Sequence, residues 1–458
     1  MRLGSSAQGS ALSTVVFVSG ILVASGACSG SEAPVGVQPS RAGEIDLDGG
    51  PGGGGATYLP CEVDAILENN CRMCHSRPPR FGAPMPLVTW DDLHARAVSD
   101  ESKKVYERVV FMIDNDPAPM PPPPNPRLSE ADRKVLKDWV AAGAPRGPET
   151  CGGGGTTPPE AKPLGCTPDL TLLPSEPWTM PDTAGDEYVC WGVDLTRPTP
   201  THITAFAPRI DNTKIVHHVV VYEAPESYDP KPKRCSAATS LTWRMVFGWA
   251  PGSGALELPS EAGFPIATTG ATHYVVQMHY SNPQGLSGEK DRSGIDVCTS
   301  PPRKYEADVV AFGTQDIRIP PNPPGGIFTR ECSLTVPEQF AGLHFFAAMP
   351  HMHQLGVSMK TELTPASGGP KVDMGTLPTF DFESQAWLPI DATVAAGDVI
   401  TTTCSWKNNT GAEVRFGERT ADEMCYSFTL YYPRIQLPLW SWAVPAQPPP
   451  IGATCVTK

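Results

Sequence analysis

Charged residues are scarce in this sequence, and basic ones are the scarcer. Only 18% of its 458 residues are charged, and 35 Lys and Arg against 49 Asp and Glu leave a formal net charge of -14 at pH 7. No basic patch stands out. This composition argues against binding of nucleic acid or of anionic lipid by charge.

The apolar run near the N-terminus is too short to cross a bilayer. It extends from about Ala11 to Ala24, follows Arg2 and has the length of a signal peptide. Ser25-Gly26-Ala27-Cys28 then resembles a lipoprotein cleavage box, with Ser25 where Leu is usual. We expect a lipid anchor on Cys28 or, alternatively, ordinary cleavage near Ala27. Either route predicts an exported protein, in the periplasm or on the surface of a bacterium.

Four short motifs place metal-binding side chains in the C-terminal two-thirds of a chain that has only ten histidines. They are Val216-His217-His218-Val219, Gln277-Met278-His279-Tyr280, Pro350-His351-Met352-His353 and Asp422-Glu423-Met424-Cys425. Imidazoles suit copper in either oxidation state, and a thioether selects the cuprous ion. A structural zinc site has no reason to recruit Met. The pattern predicts two unequal copper sites.

The spacing of these motifs can be compared with strand geometry, because all lie in runs rich in Val, Tyr, Phe and Thr. Alternate residues share a face of a strand, so His351 and His353 can hold one ion while Met352 points away. The neighbours His217 and His218 face opposite ways on a regular strand. We therefore expect either a β-bulge or a strand end at that pair.

The segment from about Cys166 to Cys455 resembles the copper type II, ascorbate-dependent monooxygenases, the family of peptidylglycine alpha-hydroxylating and dopamine beta-monooxygenases. Further similarity lies in Asp186-Glu187-Tyr188-Val189-Cys190, in Gly248-Trp249-Ala250-Pro251-Gly252 and in Gly263-Phe264-Pro265. The resemblance implies that His217, His218 and His279 hold an electron-storing copper. It implies equally that His351, His353 and Met424 hold the copper that binds dioxygen, and that the chain hydroxylates a C–H bond with O2.

Two positions depart from the peptide-hydroxylating members of this family. Those members grip a substrate carboxylate with a basic residue two positions before the His-x-His pair and with a tyrosine four positions after the Met. Here the two positions hold Met349 and Phe428. We expect an apolar pocket and a small, apolar substrate in place of peptidylglycine. No residue marks a catecholamine site.

Cys71-Arg72-Met73-Cys74-His75 is the haem c attachment pattern, in which two thiols bond the porphyrin and the histidine ligates iron. Met120, in an Ala-Pro-Met-Pro-Pro-Pro-Pro loop, is the expected second iron ligand, and Met85 is a poorer candidate. A helix should start near Ser129 and stop at Gly143. The region resembles small monohaem cytochrome c modules. The alternative is a simple disulfide loop between Cys71 and Cys74.

Cysteine usage also favours export, because ten of the 13 cysteines remain after Cys28 and the two haem thiols. An even number can form five disulfides in an oxidising compartment. The family resemblance implies the pairs Cys404 with Cys425, Cys190 with Cys298 and Cys332 with Cys455. Cys61 with Cys151 and Cys166 with Cys235 are what is left over.

The length exceeds what one core usually supports, so several domains are expected. We predict a signal segment (1–28), a flexible linker (29–56), a small all-α cytochrome c domain (57–148), a second linker (149–165), and two all-β, jelly-roll-like sandwiches (166–310 and 311–458). A turn-rich stretch from Val309 to Pro324 should separate the sandwiches, with the copper sites facing each other across a cleft. The flexible Gly/Pro linker should keep the cytochrome near the copper body.

The predicted function is therefore a monooxygenase with two copper ions and one haem c. Its partners would be O2, a small-molecule substrate, and an electron donor that is ascorbate or a redox protein; the membrane would be reached only through Cys28. One alternative is a non-catalytic copper and haem electron-transfer or copper-binding protein. Another, a cell-surface adhesion module, would predict decayed ligands, and all six are present.

Overall fold

A small helical body begins the part of the chain that the computed structural model describes. That part is residues 57–435, without 99, 116–118, 123–124, 149–150, 152–163, 183–184, 236–242, 383–384 and 418–420, together with the strand at 454–457. The expected signal segment and first linker, residues 1–56, lie outside it. The helices are α1 (Cys61–Asn70), α2 (Trp90–His94), α3 (Val105–Ile113) and α4 (Glu130–Ala141).

The boundaries of α4 follow the sequence signals. Ser129 accepts a hydrogen bond from the N–H of Asp132 at the start of α4, and Gly143 adopts φ +87° just beyond its end. Leu136 and Trp139 of α4 are buried in a core with Leu59 and Leu67. The body is not purely helical as predicted, because a short antiparallel pair, β1 (Arg96–Ala97) and β2 (Asp100–Lys104), precedes α3.

The first β-sandwich contains thirteen strands among the residues that the structure describes. They are β3 (Leu170–Leu172), β4 (Trp178–Thr179), β5 (Gly185–Leu195), β6 (Thr201–Arg209), β7 (Val216–Ala224), β8 (Lys233–Arg234), β9 (Arg244–Trp249), β10 (Leu256–Glu257), β11 (Ala262–Ile266), β12 (Thr272–Asn282), β13 (Lys290–Asp291), β14 (Gly294–Ser300) and β15 (Tyr305–Glu306). One main sheet has the order β15-β11-β6-β14-β3, with β10 also paired to β6, and the other has the order β8-β5-β12-β7-β9; β4 and β13 form a separate pair. Phe206 of the first sheet stacks on Phe247 of the second, with ring centroids 5.5 Å apart.

The second β-sandwich is formed by the remaining strands. They are β16 (Asp308–Gly313), β17 (Arg318–Ile319), β18 (Phe328–Thr335), β19 (His344–His351), β20 (Gly356–Thr364), β21 (Val372–Leu377), β22 (Leu388–Thr393), β23 (Val399–Trp406), β24 (Val414–Arg415), β25 (Tyr426–Tyr432) and β26 (Thr454–Thr457). Its main sheets are β16-β25-β19-β22 and β21-β20-β23-β18-β26, and β17 and β24 form a separate pair. Two short 3₁₀ helices lie at Pro324–Gly326 and Glu338–Phe340.

The boundary between the sandwiches lies earlier than the sequence suggested. Strand β16 pairs with β25 along its whole length, so it belongs to the second sandwich although the predicted boundary, 310/311, cuts it. The two sandwiches also share one apolar core, in which Phe346 and Leu430 pack with residues of the first. Buried Arg244 of β9 forms ion pairs with Glu223 and with Asp308 of β16. Core and ion pairs together fix the relative position of the two sandwiches.

The disulfides differ from two of the expected pairs. Cys61–Cys151 and Cys404–Cys425 form as predicted. Cys332 is also disulfide-bonded, and the backbone register places Cys455 opposite it. However, Cys190 pairs with Cys235, and Cys166 pairs with Cys298, so the predicted pairs Cys190–Cys298 and Cys166–Cys235 were wrong. The short strand β8 pairs with β5 at Cys190, which brings the segment that ends in Cys235 beside it.

Candidate metal centres

The three-histidine site lies where β7 begins beside β12. His218 is directly opposite His279, whereas the next residue of β12, Tyr280, is opposite Val216. His217 is therefore the extra residue of a β-bulge, one residue after the start of β7. Both of the predicted alternatives, a bulge and a strand end, apply here. The bulge lets adjacent histidines turn toward the same point.

The three imidazoles converge through their Nδ1 atoms. His217 Nδ1 is 3.2 Å from His279 Nδ1, which is 3.4 Å from His218 Nδ1. Two nitrogens that each lie about 2.0 Å from one metal ion would be about 3.3 Å apart at a tetrahedral angle, so the set fits a single ion. Burial lowers the pKa of His217 to about 3, which keeps this imidazole in the neutral form that binds metals.

The surroundings of His279 orient its ring. The Tyr188 ring stacks on it at 4.4 Å between centroids and 2° between planes. On the other side of the imidazole, Nε2 lies 3.3 Å from the carboxylate of Asp186. A carboxylate at the second nitrogen fixes the tautomer of a ligating histidine and raises its basicity. Sequence similarity had marked Asp186 and Tyr188 only as part of an opening strand.

The second ligand set lies in the other sandwich. His351 ends β19 and His353 follows it, with ring centroids 5.3 Å apart and planes at 87°. His351 Nδ1 is 2.5 Å from Gln385 Oε1, and His353 Nδ1 is 3.0 Å from the carbonyl oxygen of Asp422. Because these acceptors take the Nδ1 protons, Nε2 of each ring carries the lone pair that a metal ion can use. Burial lowers the pKa of His351 to about 3.

Met424, the predicted third ligand, lies in the segment directly before β25. His351 is opposite Tyr426 in the register, two residues after Met424, and the Met424 side chain is buried. The adjacent Cys425 is fixed to Cys404 by a disulfide. Met352, by contrast, packs in an apolar core, as the strand alternation predicted.

Glu423 holds the second site together. Its buried carboxylate accepts hydrogen bonds from the N–H groups of His353 (2.9 Å) and Leu355 (2.6 Å), and from Trp406 Nε1 (2.9 Å). Burial raises the pKa of Glu423 to about 7, although these donors oppose the shift. Glu423 thereby links the segment that carries Met424 to the segment that carries His353. Glu423 belongs to the Asp422–Cys425 motif, in which the sequence marks only Met424 as a soft-metal ligand, and no sequence motif marks Gln385.

An apolar cluster lies between the two sandwiches and near the second ligand set. Buried Val220, Tyr222, Met245 and Met349 form it, with partly buried Trp243, Trp387 and Phe428 against them. The Phe428 ring centroid is 5.6 Å from that of His351. The two positions that predicted an apolar pocket, Met349 and Phe428, thus contribute to one surface.

The Cys71–His75 motif lies directly after α1. Cys71 and Cys74 are the free cysteines of the described residues, which excludes the alternative of a disulfide between them. Burial raises the pKa of both thiols to about 12, which disfavours a reactive thiolate role. His75 Nδ1 lies 2.8 Å from the carbonyl oxygen of Met85, which leaves the lone pair of the ring on Nε2.

The two methionine candidates for the other side of an iron differ in burial. Met120 is 37% exposed, and its N–H donates to the carbonyl of Met112. Met85 packs against the core of the helical body together with Cys71. The assignment of Met120 to iron stays a prediction.

Comparison with known proteins identifies the family. The model of the copper type II ascorbate-dependent monooxygenase N-terminal domain matches residues 174–287, and that of the C-terminal domain matches residues 305–447. The two ranges together cover more than half of the chain. The chain therefore belongs to the copper type II, ascorbate-dependent monooxygenase family.

Individual relatives agree with this assignment. A tyramine beta-hydroxylase from Caenorhabditis briggsae is 28% identical over 53% of this chain and 44% of its own length. A DBH-like monooxygenase protein 1 from Gallus gallus is 29% identical over 52% of this chain and 42% of its own length. A dopamine beta-hydroxylase from Bos taurus is 27% identical over 59% of this chain and 49% of its own length. The chain spans less than half the length of these relatives. A solved structure of a Paenibacillus xanthan lyase reaches a TM-score of only 0.16 at 11% identity, which is too low to indicate a shared fold.

Proposed function

We propose that the chain is an exported, copper-dependent monooxygenase that uses O2 to hydroxylate an unactivated or benzylic C–H bond of a small apolar substrate. The observation that carries the proposal is the inequality of the two ligand sets. Three Nδ1 atoms converge in one sandwich, and two imidazoles with buried Met424 lie in the other. Copper bound there would supply one electron at each site and, at the thioether-bearing site, activation of dioxygen.

The residues around the sites have separable tasks. The bulge at His217 and the stack of Tyr188 on His279 position one set of nitrogens. Gln385 and the Asp422 carbonyl hold the other two rings by Nδ1, and Glu423 fixes the approach of Met424. Such supports keep ligand geometry constant while a metal changes its oxidation state.

The substrate class follows from the apolar cluster. The partly buried Phe428 ring of this cluster lies 5.6 Å from the His351 ring, with Trp387 in the same cluster. Met349 and Phe428 stand where the peptide-hydroxylating members have the basic residue and the tyrosine that hold a carboxylate. A dry, apolar wall also limits the side reactions of a strong oxidant. The names of the relatives, a tyramine and a dopamine beta-hydroxylase, support hydroxylation as the reaction.

We further infer that the helical body binds haem c and passes electrons to copper. The fit of the group rests on two unpaired thiols at the right spacing and on a histidine oriented through Met85. Met120 would be the second ligand of the iron. Ascorbate or a redox protein would be the external donor.

Export is supported by the disulfides, which persist in oxidising compartments. A lipid on Cys28 would then hold the protein at a bacterial membrane surface, in the periplasm or outside the cell. Among the described residues, no helix combines the length and the apolar character needed to cross a membrane.

The competing proposal is a non-catalytic copper and haem electron-transfer protein on the same fold. Two chemically unequal sites, one of them with the thioether of Met424, favour the enzyme, because a storage protein has no need of two unequal sites.

The deciding experiment uses the reduced holoprotein, ¹⁸O2 and a panel of apolar and aromatic C–H compounds. Mass spectrometry should find an alcohol that carries one ¹⁸O atom, and the product should disappear in Met424→His. Haem and copper that are repeatedly oxidised by O2 without any labelled product would favour the electron-transfer protein.

A further inference from the structure

One short segment of the helical body is in direct contact with the first sandwich, which carries the three histidines. This segment, Arg80–Ala83, is the bridging loop. The N–H of Phe81 donates to the carbonyl of Thr213 at 2.6 Å, and Gln284 Nε2 donates to the carbonyl of Ala83 at 3.2 Å. The Phe81 ring packs edge to face on Trp249, with centroids 5.9 Å apart.

Gly82 brings the backbone of the bridging loop against a metal-ligand residue. Its φ of +72° lies in the left-handed region. A Cβ at this position would be 2.9 Å from Ser281 Cβ and 3.3 Å from His217 Cδ2. Only a residue without a side chain allows this approach, so the main chain of the helical body lies against the edge of the His217 ring.

The other end of the bridging loop is fastened to the Cys71–His75 motif. The carbonyl of Cys74 accepts a hydrogen bond from the N–H of Arg80 at 2.8 Å. A short path therefore runs from Cys74 through one hydrogen bond to Arg80, along the backbone to Gly82, and across a gap narrow enough that a single Cβ would close it to His217.

A second contact holds the two bodies in the same relation. Asn125, in the loop after Met120, donates through Nδ2 to the carbonyls of Pro122 (2.9 Å) and Pro251 (3.1 Å). The adjoining Gly252 has φ +99°, and a Cβ there would overlap the Asn125 side chain. Two loops of the helical body are thus anchored to the first sandwich. One is the bridging loop, which follows the Cys71–His75 motif, and the other is the loop that follows Met120. The helical body and the first sandwich are therefore in direct contact, whereas the linker composition predicted only a flexible tether between them.

We propose that the bridging loop is the crossing point for electrons between the Cys71–His75 module and the three-histidine site. The inference rests on the proposed function. In each crossing, one electron leaves a ferrous iron held by His75, which becomes ferric, and reduces a cupric ion held by His217 to the cuprous state. A one-electron donor outside the protein, ascorbate or a redox protein, restores the ferrous iron.

The test compares two glycines that share a conformation but differ in surroundings. Gly82→Ala crowds Ser281 and His217, whereas Gly143→Ala, at φ +87°, meets no atom within 4 Å. Anaerobic stopped-flow mixing would generate ferrous haem beside cupric sites. Haem absorbance and the cupric electron paramagnetic resonance signal would then be followed together. We expect Gly82→Ala to slow the coupled change by about tenfold, because a small displacement at a transfer contact has a large kinetic cost. Gly143→Ala should match the parent protein.

A second pair of variants covers the case in which Gly82→Ala does not fold. Phe81→Ala removes the ring contact with Trp249, and Phe111→Ala removes an exposed ring of the same body as its control. The first should slow the transfer, and the second should leave it unchanged. Equal rates in both pairs, or haem that stays ferrous beside cupric sites in the parent protein, would overturn the crossing point.

Copper and covalent haem are counted before mixing, which separates this inference from the proposed function. A protein that lacks haem or copper contradicts the proposed function itself. A fully loaded parent that shows slow transfer, yet forms labelled alcohol with ascorbate, contradicts the bridging loop alone.

Discussion

Met349 and Phe428 are direct cross-strand partners on β19 and β25. Met349 is fully buried, and the partly buried Phe428 ring reaches to 5.6 Å from His351. Side chains that face each other across antiparallel strands act as one packed unit. The two departures from the peptide-hydroxylating pattern therefore form a single apolar surface beside the second ligand set.

This surface predicts the effect of truncating Phe428. Phe428→Ala should lower kcat/KM for an aromatic substrate by about tenfold or more, chiefly through KM, because an apolar contact of this size contributes about 1–3 kcal/mol. Copper content should be unchanged. Steady-state kinetics on the substrate found in the ¹⁸O2 panel give the comparison. A lower kcat with an unaltered KM would argue against a substrate-binding role.

Met424 and Met352 form a matched pair for testing the thioether ligand. Met424→His should leave copper at the three-histidine site and weaken cuprous binding at the other, since a harder ligand replaces a soft one. Product formation should fall severely. Met352→Leu, in an apolar core, should keep both copper ions and most activity. Anaerobic copper titration measures the difference, and full turnover by Met424→His would show that the assigned role is wrong.

Glu423 should contribute to stability as well as to the position of Met424. Glu423→Ala leaves several buried N–H donors without an acceptor, and each loss costs about 1–3 kcal/mol, so unfolding should occur at clearly lower denaturant concentration. Cuprous affinity at the Met424 site should fall in parallel. Exposed Glu413 is the control, and Glu413→Gln should change stability by no more than about 0.5 kcal/mol. Equal stability of the two variants would remove this role from Glu423.

The thiols of the helical body predict a separable cofactor. Cys71→Ser combined with Cys74→Ser should abolish covalent haem, because thioether bonds can no longer form, and should leave both copper ions in place. A pyridine haemochrome spectrum measures the covalent haem, and elemental analysis measures the copper. Covalent haem that survives the double substitution would exclude these cysteines as the attachment site.

Much of both sites could be predicted from sequence because their ligands occur in short motifs with strand spacing. The extent of α4 follows its capping signals, whereas the regular strand predicted for His351–His353 ends at His351, so Met352 and His353 lie beyond β19. The distortion at His217 was foreseen only as one of two alternatives, since a bulge depends on the partner strand β12.

Other features depended on contacts between distant segments. Cys190 pairs with Cys235 and not with Cys298, because strand pairing at β8 decides which thiols meet and spacing does not. Gln385 supports His351 from 34 residues away, and Gly82 contacts His217 from another body. No periodicity or motif encodes such approaches.

The metal content of the anaerobically reduced protein tests the central claim, two unequal copper sites beside one haem, most directly. Elemental analysis should give two copper and one iron per chain after reconstitution. Copper X-ray absorption should show one sulfur ligand for every two copper ions, which disappears in Met424→His while the nitrogen shell of the other site stays. Stoichiometric zinc with no uptake of copper, or two copper ions without any sulfur ligand, would contradict the account.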